Sequence, residues 1–173
     1  MKIIGNREVF AFEYTLLNKV DKYIFANLCF WIKGERIGDY EIECTISISL
    51  SFLEDFLEKY EHREYYKSYR LKKEVIFFEL YDKFFQNSIK GFQESNMGKY
   101  QEYFWLDDVG DEAFRDKIGI ILLNEPSVNR QRLIWKVFNT NTVNEAYIPM
   151  NYFDQHAKDF INHIRNDMQE NFT

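Results

Sequence analysis

The segment from Tyr23 to Lys33 constrains the fold more than any other part of the chain. Every second residue from Ile24 to Ile32 is apolar, whereas the intervening positions mix polar and aromatic residues. This alternation of period two is typical of a β-strand that has one face against the core. Gly34 and Gly38 follow shortly afterwards and predict a tight turn. We therefore expect a central or nearly central strand at this position, because its apolar face is unbroken.

Further strands are predicted on both sides of this segment. Glu8 to Leu17 places aromatic residues on one parity, and a hairpin turn at Asn18 to Asp21 would return the chain antiparallel to it. Glu41 to Leu50 alternates apolar residues with Glu, Thr and Ser, which predicts a third, half-exposed strand and hence a three-stranded meander. Later strands are predicted at Ile118 to Leu123, Arg130 to Phe138 and Glu145 to Ile148, with a turn-rich loop at Asn124 to Asn129.

Three helices are predicted from apolar residues at helical spacing. The first is expected to begin near residue 52, because Ser51 and Glu54 match a capping box. The second is predicted over Glu74 to Gln86, and the third after Asn151, which is expected to cap it. Asn87 to Lys117 has the weakest pattern and is predicted to be an irregular surface region. The third helix carries the clearest apolar stripe, formed by Phe153, Ala157, Phe160, Ile161, Ile164 and Met168.

These elements predict a single α+β domain over residues 1–173. Its sheet is expected to be mostly antiparallel with five or six strands, with helices packed mainly on one face and a helix at the C-terminus. An aromatic content of 18 % excludes a disordered chain. No repeat or linker divides the sequence, and Asn87 to Gly98 is the alternative place for a domain boundary.

Charge and cysteine content limit the classes of function. The net charge of −6 argues against nucleic acid as a partner, because phosphate binding needs clustered Lys and Arg. The same charge suits capture of a basic protein, since complementary charge raises the association rate. Cys29 and Cys44 are predicted to be reduced and buried. The N-terminus does not resemble a signal peptide and no long apolar window occurs, so we expect a cytoplasmic protein without a membrane span.

The sequence contains no recognisable reaction chemistry. His156 and His163 lie two helical turns apart, roughly 10 Å along the axis, which is too far for one metal ion. The GxSxG, GxGxxG and P-loop motifs do not occur. We therefore expect no catalytic residue, no metal site and no cofactor. Trp31 is expected to pack beneath a helix, and Asp39 to accept hydrogen bonds from turn amides.

The best candidate for a binding surface joins aromatic residues to acidic ones in the region before Lys117. Aromatic anchors with neighbouring charge are typical of interface hot spots. The alternatives are that these aromatics pack under the loop, or that the acidic side of the predicted helix at Glu54 to Glu61 binds instead. We call the first candidate the acidic–aromatic loop; it consists of Tyr100, Tyr103, Trp105, Asp107, Asp108, Asp111 and Glu112.

Four features follow one another along most of the chain. They are the aromatic strand that ends in Phe30 and Trp31, the turn GERIGD at Gly34 to Asp39, the strand and helix that follow, and a late hairpin that runs into RLIWK. In this order they resemble immunity protein family forty-two (Immunity protein 42) of bacterial polymorphic toxin systems. The resemblance implies a non-enzymatic protein that binds and blocks one cognate toxin domain. It implies no particular set of contact residues.

The expected function is therefore that of a cytosolic immunity protein that neutralises a toxin, with a nuclease favoured by the charge. Two other classes are open at this point: a small cytosolic enzyme with an unrecognised active site, and a structural subunit of a larger assembly. A toxin domain encoded immediately upstream would favour the first class. The sequence does not fix an oligomeric state.

Overall fold

The computed structural model describes residues 1–83, 102–114, 117–140 and 142–172. Within these ranges the strands form two antiparallel sheets, one of five strands and one of three. The α+β class and the antiparallel pairing agree with the sequence-based prediction. The later strands, however, form a separate sheet instead of extending the first one. A single domain over the whole chain stays a prediction.

The five-stranded sheet is built around the aromatic strand. Its strands are β1 (Lys2–Asn6), β2 (Phe10–Val20), β3 (Tyr23–Ile32), β4 (Glu35–Ile37) and β5 (Glu43–Thr45). Strands β1 to β4 lie in sequence order, and β5 pairs with β3 beside β4. β3 therefore has partners on both edges, which confirms its central position. β1 was not predicted, since its five residues are only partly buried and show no clear alternation.

The predicted strand over Glu41 to Leu50 was wrong for most of its length. Only β5 is extended, and helix α1 runs from Ile46 to Glu58. Ser51 and Glu54 therefore lie inside this helix, so the predicted capping box does not mark its start. Alternating residues in this segment also satisfy a spacing of three or four, which is the helical period. The buried residues of α1 are Ile46, Ser49, Leu50, Leu53 and Phe56.

The three-stranded sheet has the order β6, β7, β8, with β6 at Ile118–Glu125, β7 at Arg130–Val137 and β8 at Val143–Pro149. The hairpin of β6 and β7 agrees with the prediction. All residues of β6 are buried, although β7 is the only full strand paired with it among the described residues. Its other edge is covered by isolated bridges to Glu64 and Trp105.

Two further helices complete the described structure. Helix α2 (Lys73–Phe77) continues as a π-helical turn at Phe78–Asp82, and helix α3 (Tyr152–Phe172) follows β8. The apolar stripe of α3 faces the core, as its spacing predicts. In the part of the chain that the structure describes, we find no helix that is long and apolar enough to cross a membrane. The remaining helical turns are short 3₁₀ segments at Tyr60–His62, Glu102–Phe104, Asp107–Ala113 and Pro126–Val128.

One large apolar cluster joins the inner faces of both sheets to α1 and α3. Phe12 of β2 stacks on Phe160 of α3 with ring centroids 4.4 Å apart. A second cluster lies on the other face of the three-stranded sheet, beneath α2. Cys29 and Cys44 are free and buried, as predicted, and burial raises their pKa values to about 12 and about 11. Helices α1 and α3 thus pack on the inner face of the five-stranded sheet, and its outer face carries a different set of side chains.

Candidate functional site

The described part of the acidic–aromatic loop packs partly against the rest of the protein. Trp105 is half-buried, forms a bridge with Ile121 of β6, and donates a hydrogen bond from Nε1 to the carbonyl oxygen of Leu80 at 2.9 Å. Its ring centroid lies 5.4 Å from that of Tyr81. Tyr100 lies outside the described residues. Trp105 therefore contributes to the packing of the second apolar cluster.

The segment around Trp105 is irregular, as predicted, but only some of its described residues lie at the surface. Phe104, Leu106 and Phe114 are fully buried. Gly110 allows the chain to pass over the ring of Phe114, because a Cβ atom at Gly110 would lie 1.9 Å from a ring carbon. The apolar residues between the acids thus face the core, and this explains why the sequence pattern is irregular.

Asp107 and Asp111 of the loop make internal hydrogen bonds. The Tyr81 hydroxyl donates to Asp107 at 2.6 Å, and burial raises the pKa of the Asp107 carboxyl to about 6. The backbone amide of Thr45 donates to Asp111 at 3.3 Å, just before α1 begins. Asp111 has a φ of 46°, an uncommon backbone conformation for a residue other than glycine. These two carboxylates support the fold from within.

The remaining members of the loop lie nearer the solvent. Asp108 and Glu112 are exposed. Tyr103 is half-buried and stacks on His62 with ring centroids 5.0 Å apart, and Lys59 Nζ lies 5.7 Å from the centroid of the same ring. The structure therefore separates the predicted site into internal residues and a smaller exposed part. Binding of a partner by this loop stays a prediction.

A second group of polar and aromatic side chains lies on the outer face of the five-stranded sheet. In the register of β2 and β3, Ala11 pairs with Trp31 and Glu13 pairs with Cys29. Arg36 of β4 pairs with Trp31 from the other side. These positions alternate with the core-facing ones, so their side chains leave the sheet on the opposite face. The register thus brings Glu13, Trp31 and Arg36 together.

Glu13 is the centre of this group. Its side chain has no exposed surface, although it lies on the outer face. It accepts hydrogen bonds from Trp31 Nε1, from Arg7 Nη2 at 3.3 Å and from Arg36 Nη2 at 3.2 Å. A buried carboxylate is costly unless it is paired and hydrogen-bonded, and these three donors meet that requirement. Glu13 in turn holds all three side chains in place.

The arginines and aromatic rings of this group form a stack. The Cζ atoms of Arg7 and Arg36 lie 4.4 Å and 5.2 Å from the ring centroid of Trp31. Arg36 also lies 5.0 Å from the ring of Tyr40, whose hydroxyl shares a 2.7 Å hydrogen bond with the hydroxyl of Thr15. Guanidinium groups are attracted to aromatic faces in this arrangement. We call the set of Arg7, Glu13, Trp31, Arg36 and Tyr40 the arginine–tryptophan platform.

The structure tests the predictions made for Trp31 and Asp39. The predicted place of Trp31 beneath a helix was wrong, because its parity puts it on the outer face, away from α1 and α3. The prediction for Asp39 is confirmed, since its Oδ1 accepts a hydrogen bond from the Glu41 amide at 3.2 Å. A hydrogen bond from Lys117 Nζ at 3.0 Å is the main cause that lowers the pKa of the Asp39 carboxyl.

A groove of about 590 Å³ adjoins the platform. One wall is the turn after β4, and the other is formed by Lys117 and the turn after β7. Arg36 and Tyr40 belong to both the platform and the groove. Phe138 on the far wall is 38 % exposed, which makes it a partly open apolar contact. The platform and the groove therefore form one continuous surface.

Sequence reasoning missed Arg7, Glu13, Arg36 and Tyr40. The signal that was present is Glu13, a single acid inside a strand of aromatic residues. An acid at such a position is seldom buried unless it has a partner. The partners could not be named, because they depend on the strand register and on a turn that closes beside it.

The two histidines of α3 make local contacts. Nδ1 of His156 lies 2.8 Å from the carbonyl oxygen of Tyr152, and Nδ1 of His163 lies 2.8 Å from that of Asp159. In the described ranges, we find no cluster of three His, Cys, Asp or Glu residues that could hold a metal ion.

Comparison with known proteins identifies the family. The family described as Immunity protein 42 matches residues 1–163. The chain belongs to this family. The resemblance seen in the sequence is thereby confirmed, and membership of Immunity protein 42 supports a toxin-neutralising role.

The fold is also similar to that of a solved structure, described as the crystal structure of CdiI from Burkholderia dolosa AUO158. The TM-score is 0.72 at 15 % sequence identity, and the match covers 94 % of this chain and 99 % of that one. At this identity the likeness shows the fold alone. No curated protein matches the chain.

Proposed function

We propose that this Immunity protein 42 member binds one cognate bacterial toxin domain in the cytoplasm and blocks it without catalysis. The observation that carries the proposal is the family match over residues 1–163. The two thiols are unsuited to act as catalytic nucleophiles. Cys29 and Cys44 are buried, and their raised pKa values keep them protonated near neutral pH, whereas a cysteine nucleophile must be a thiolate.

The toxin is proposed to present a basic surface, with a nuclease as the favoured chemistry. The net charge of −6 supports this choice, because an acidic protein is drawn to a basic cleft and associates with it faster. Exposed acids at Glu58 and Glu61 near the end of α1, and at Asp108 and Glu112 in the acidic–aromatic loop, contribute to that field. The net charge of the protein thus predicts the sign of the charge on the toxin surface, but it does not identify the reaction that the toxin catalyses.

Co-expression with the toxin domain encoded immediately upstream tests the function. The toxin domain alone is expected to arrest growth of a bacterial host, and co-expression is expected to restore growth. The tagged immunity protein should also retain the toxin through purification. The control is a toxin domain from an unrelated pair, which should be neither neutralised nor retained. Failure of both rescue and retention with the cognate toxin would contradict the proposal.

A titration separates blocking from catalysis. If the protein acts by binding, residual toxin activity should fall in proportion to the amount of immunity protein added, and mass spectrometry should find the toxin unmodified. Neutralisation of a large excess of toxin, together with a covalent change in it, would instead assign an enzymatic role.

A further inference from the structure

We propose that the arginine–tryptophan platform anchors the toxin by binding a carboxylate-bearing segment of it. This inference rests on the proposed function and adds the location and the chemistry of the contact. Trp, Tyr and Arg are the residue types most enriched in interface hot spots. The platform contains all three in mutual contact, through Trp31, Arg36 and Tyr40.

The platform is organised before any partner binds. Glu13 receives hydrogen bonds from Trp31 and from both arginines, and Tyr40 is held through Thr15. A side chain that is already fixed loses little conformational entropy on binding, so more of the contact free energy appears as affinity. The arginine side chains nevertheless keep 39 % and 42 % of their surface exposed, which leaves them within reach of a partner.

Charge identifies a carboxylate as the occupant. Arg7 and Arg36 outnumber the one carboxylate of Glu13, so the platform residues carry one net positive charge, and the adjoining groove is lined by two acids and one lysine besides Arg36, at Asp39, Glu41 and Lys117. Each arginine contacts Glu13 through Nη2, and Arg7 Nε is buried, so contact with a partner falls to the Nη groups of the partly exposed side chains. A guanidinium presents several N–H donors in a planar fork that matches a carboxylate. An Asp or Glu side chain of the toxin satisfies this geometry.

The adjoining groove adds a requirement on the residue next to that carboxylate. Arg36 and Tyr40 form its near wall, and Phe138 lies on its far wall, partly exposed. A segment that pairs its acid with Arg36 places the neighbouring side chain over the groove. The groove volume of about 590 Å³ accepts an apolar or aromatic side chain there. The predicted occupant is therefore an acidic residue flanked by an apolar one, on a toxin whose net charge is basic.

Protection of arginines from phenylglyoxal tests the location directly. The free protein and its complex with the toxin domain are modified in parallel, and each arginine is read by peptide mass spectrometry. Arg7 and Arg36 are expected to be protected in the complex, whereas the exposed Arg70 and Arg165 should react as in the free protein. Unchanged modification of Arg7 and Arg36 would overturn the proposal. Equal protection of these two by an oligonucleotide would overturn the choice of an acidic protein segment.

A matched pair of variants tests the chemistry. Arg36 and Arg165 are both exposed, and each pairs with one glutamate, Glu13 and Glu54 respectively. Arg36→Ala is expected to raise the dissociation constant of the toxin complex by at least about tenfold, whereas Arg165→Ala should change it by less than about twofold. Arg36→Lys keeps the charge but loses the fork, so its affinity should fall between those of Arg36→Ala and wild type.

These experiments can contradict binding at the platform without contradicting the proposed function. A folded Arg36→Ala variant that binds as tightly as wild type would overturn the platform and leave the function intact. A wild-type protein that forms no complex would instead contradict the function. If circular dichroism shows that Arg36→Ala is unfolded, the arginine protection pattern of the wild-type complex gives the answer without any substitution.

Discussion

The acidic–aromatic loop and the arginine–tryptophan platform use the same kinds of side chain in opposite ways. In the loop, Trp105 donates to a backbone carbonyl and Asp107 is held by Tyr81, so the recognition groups turn inward. In the platform, Glu13 is the buried group on the outer face of the sheet, and Trp31 stays partly exposed with the arginines around it. A run of aromatics and acids in a sequence is thus a weaker sign of a binding surface than an exposed stack held by a buried partner.

The largest expected difference between the two regions is in stability after loss of a tryptophan. Trp105→Ala removes a half-buried indole and its hydrogen bond to Leu80, so we expect the free energy of unfolding to fall by about 3 kcal/mol. Trp31→Ala should cost only about 1 to 2 kcal/mol, because removal of the half-exposed indole opens the buried Glu13 carboxylate to water, which can replace the lost donor. Urea denaturation of both variants measures these losses. A larger loss for Trp31→Ala would reverse the contrast.

The next largest effect is a pH dependence of the protein's stability that arises from Asp107 in the loop. Its pKa is raised in the folded state from 3.8 to about 6. Its contribution to stability is therefore complete below about pH 4 and is lost as the pH rises through 6, where the buried carboxyl must ionise. Asp107→Asn cannot ionise, so the variant should gain about 2 kcal/mol over wild type between pH 4 and pH 7, allowing for partial exposure. Urea midpoints that shift equally for both proteins over this range would contradict the assignment.

A smaller loss of stability is expected when the centre of the platform is neutralised. Glu13→Gln keeps the size of the side chain but leaves two arginines without their counter-charge. We expect a loss of about 1 kcal/mol, since both arginines are partly exposed and solvent screens their repulsion. The arginines should also react faster with phenylglyoxal in the free variant. Unaltered reactivity would mean that Glu13 does not position them.

The smallest effect is expected from the exposed acids of the loop. Neutralising all four acids would also change the stability through Asp107 and Asp111, so the informative variant is Asp108→Asn with Glu112→Gln. Its stability should change by less than about 0.5 kcal/mol. Its association rate with the toxin should fall a few-fold at low salt and match wild type at high salt, because long-range steering is screened. Equal rates at low salt would remove these acids from the capture step.

Local patterns predicted the elements whose period is unambiguous. The alternation in β3 and the apolar stripe of α3 each fit one type of element, and the structure agrees. The segment from Glu41 to Leu50 fits both periods, and packing of Leu50 and Leu53 in the core selects the helix. In such segments, contacts with residues distant in sequence select the type of element, and a local pattern does not reveal those contacts.

The candidate site was less predictable than the fold, for the same physical reason. Glu13, Trp31 and Arg36 meet only through the pairing of three strands, and β2 has a register shift between Leu16 and Lys19 that the sequence does not reveal. The division of the strands into two sheets also depends on contacts across the core. The GERIGD turn was recognised as a motif, but its role in placing Arg36 against Trp31 needed the register.

Affinity for the toxin domain after loss of each tryptophan tests the central claim most directly. Calorimetric titration of Trp31→Ala and Trp105→Ala, each corrected for its folded fraction, compares the two regions in one experiment. If the platform anchors the toxin, Trp31→Ala should weaken binding by at least about tenfold, and Trp105→Ala should bind as wild type does. Weakened binding by Trp105→Ala together with unchanged binding by Trp31→Ala would contradict the account and assign the anchor to the acidic–aromatic loop.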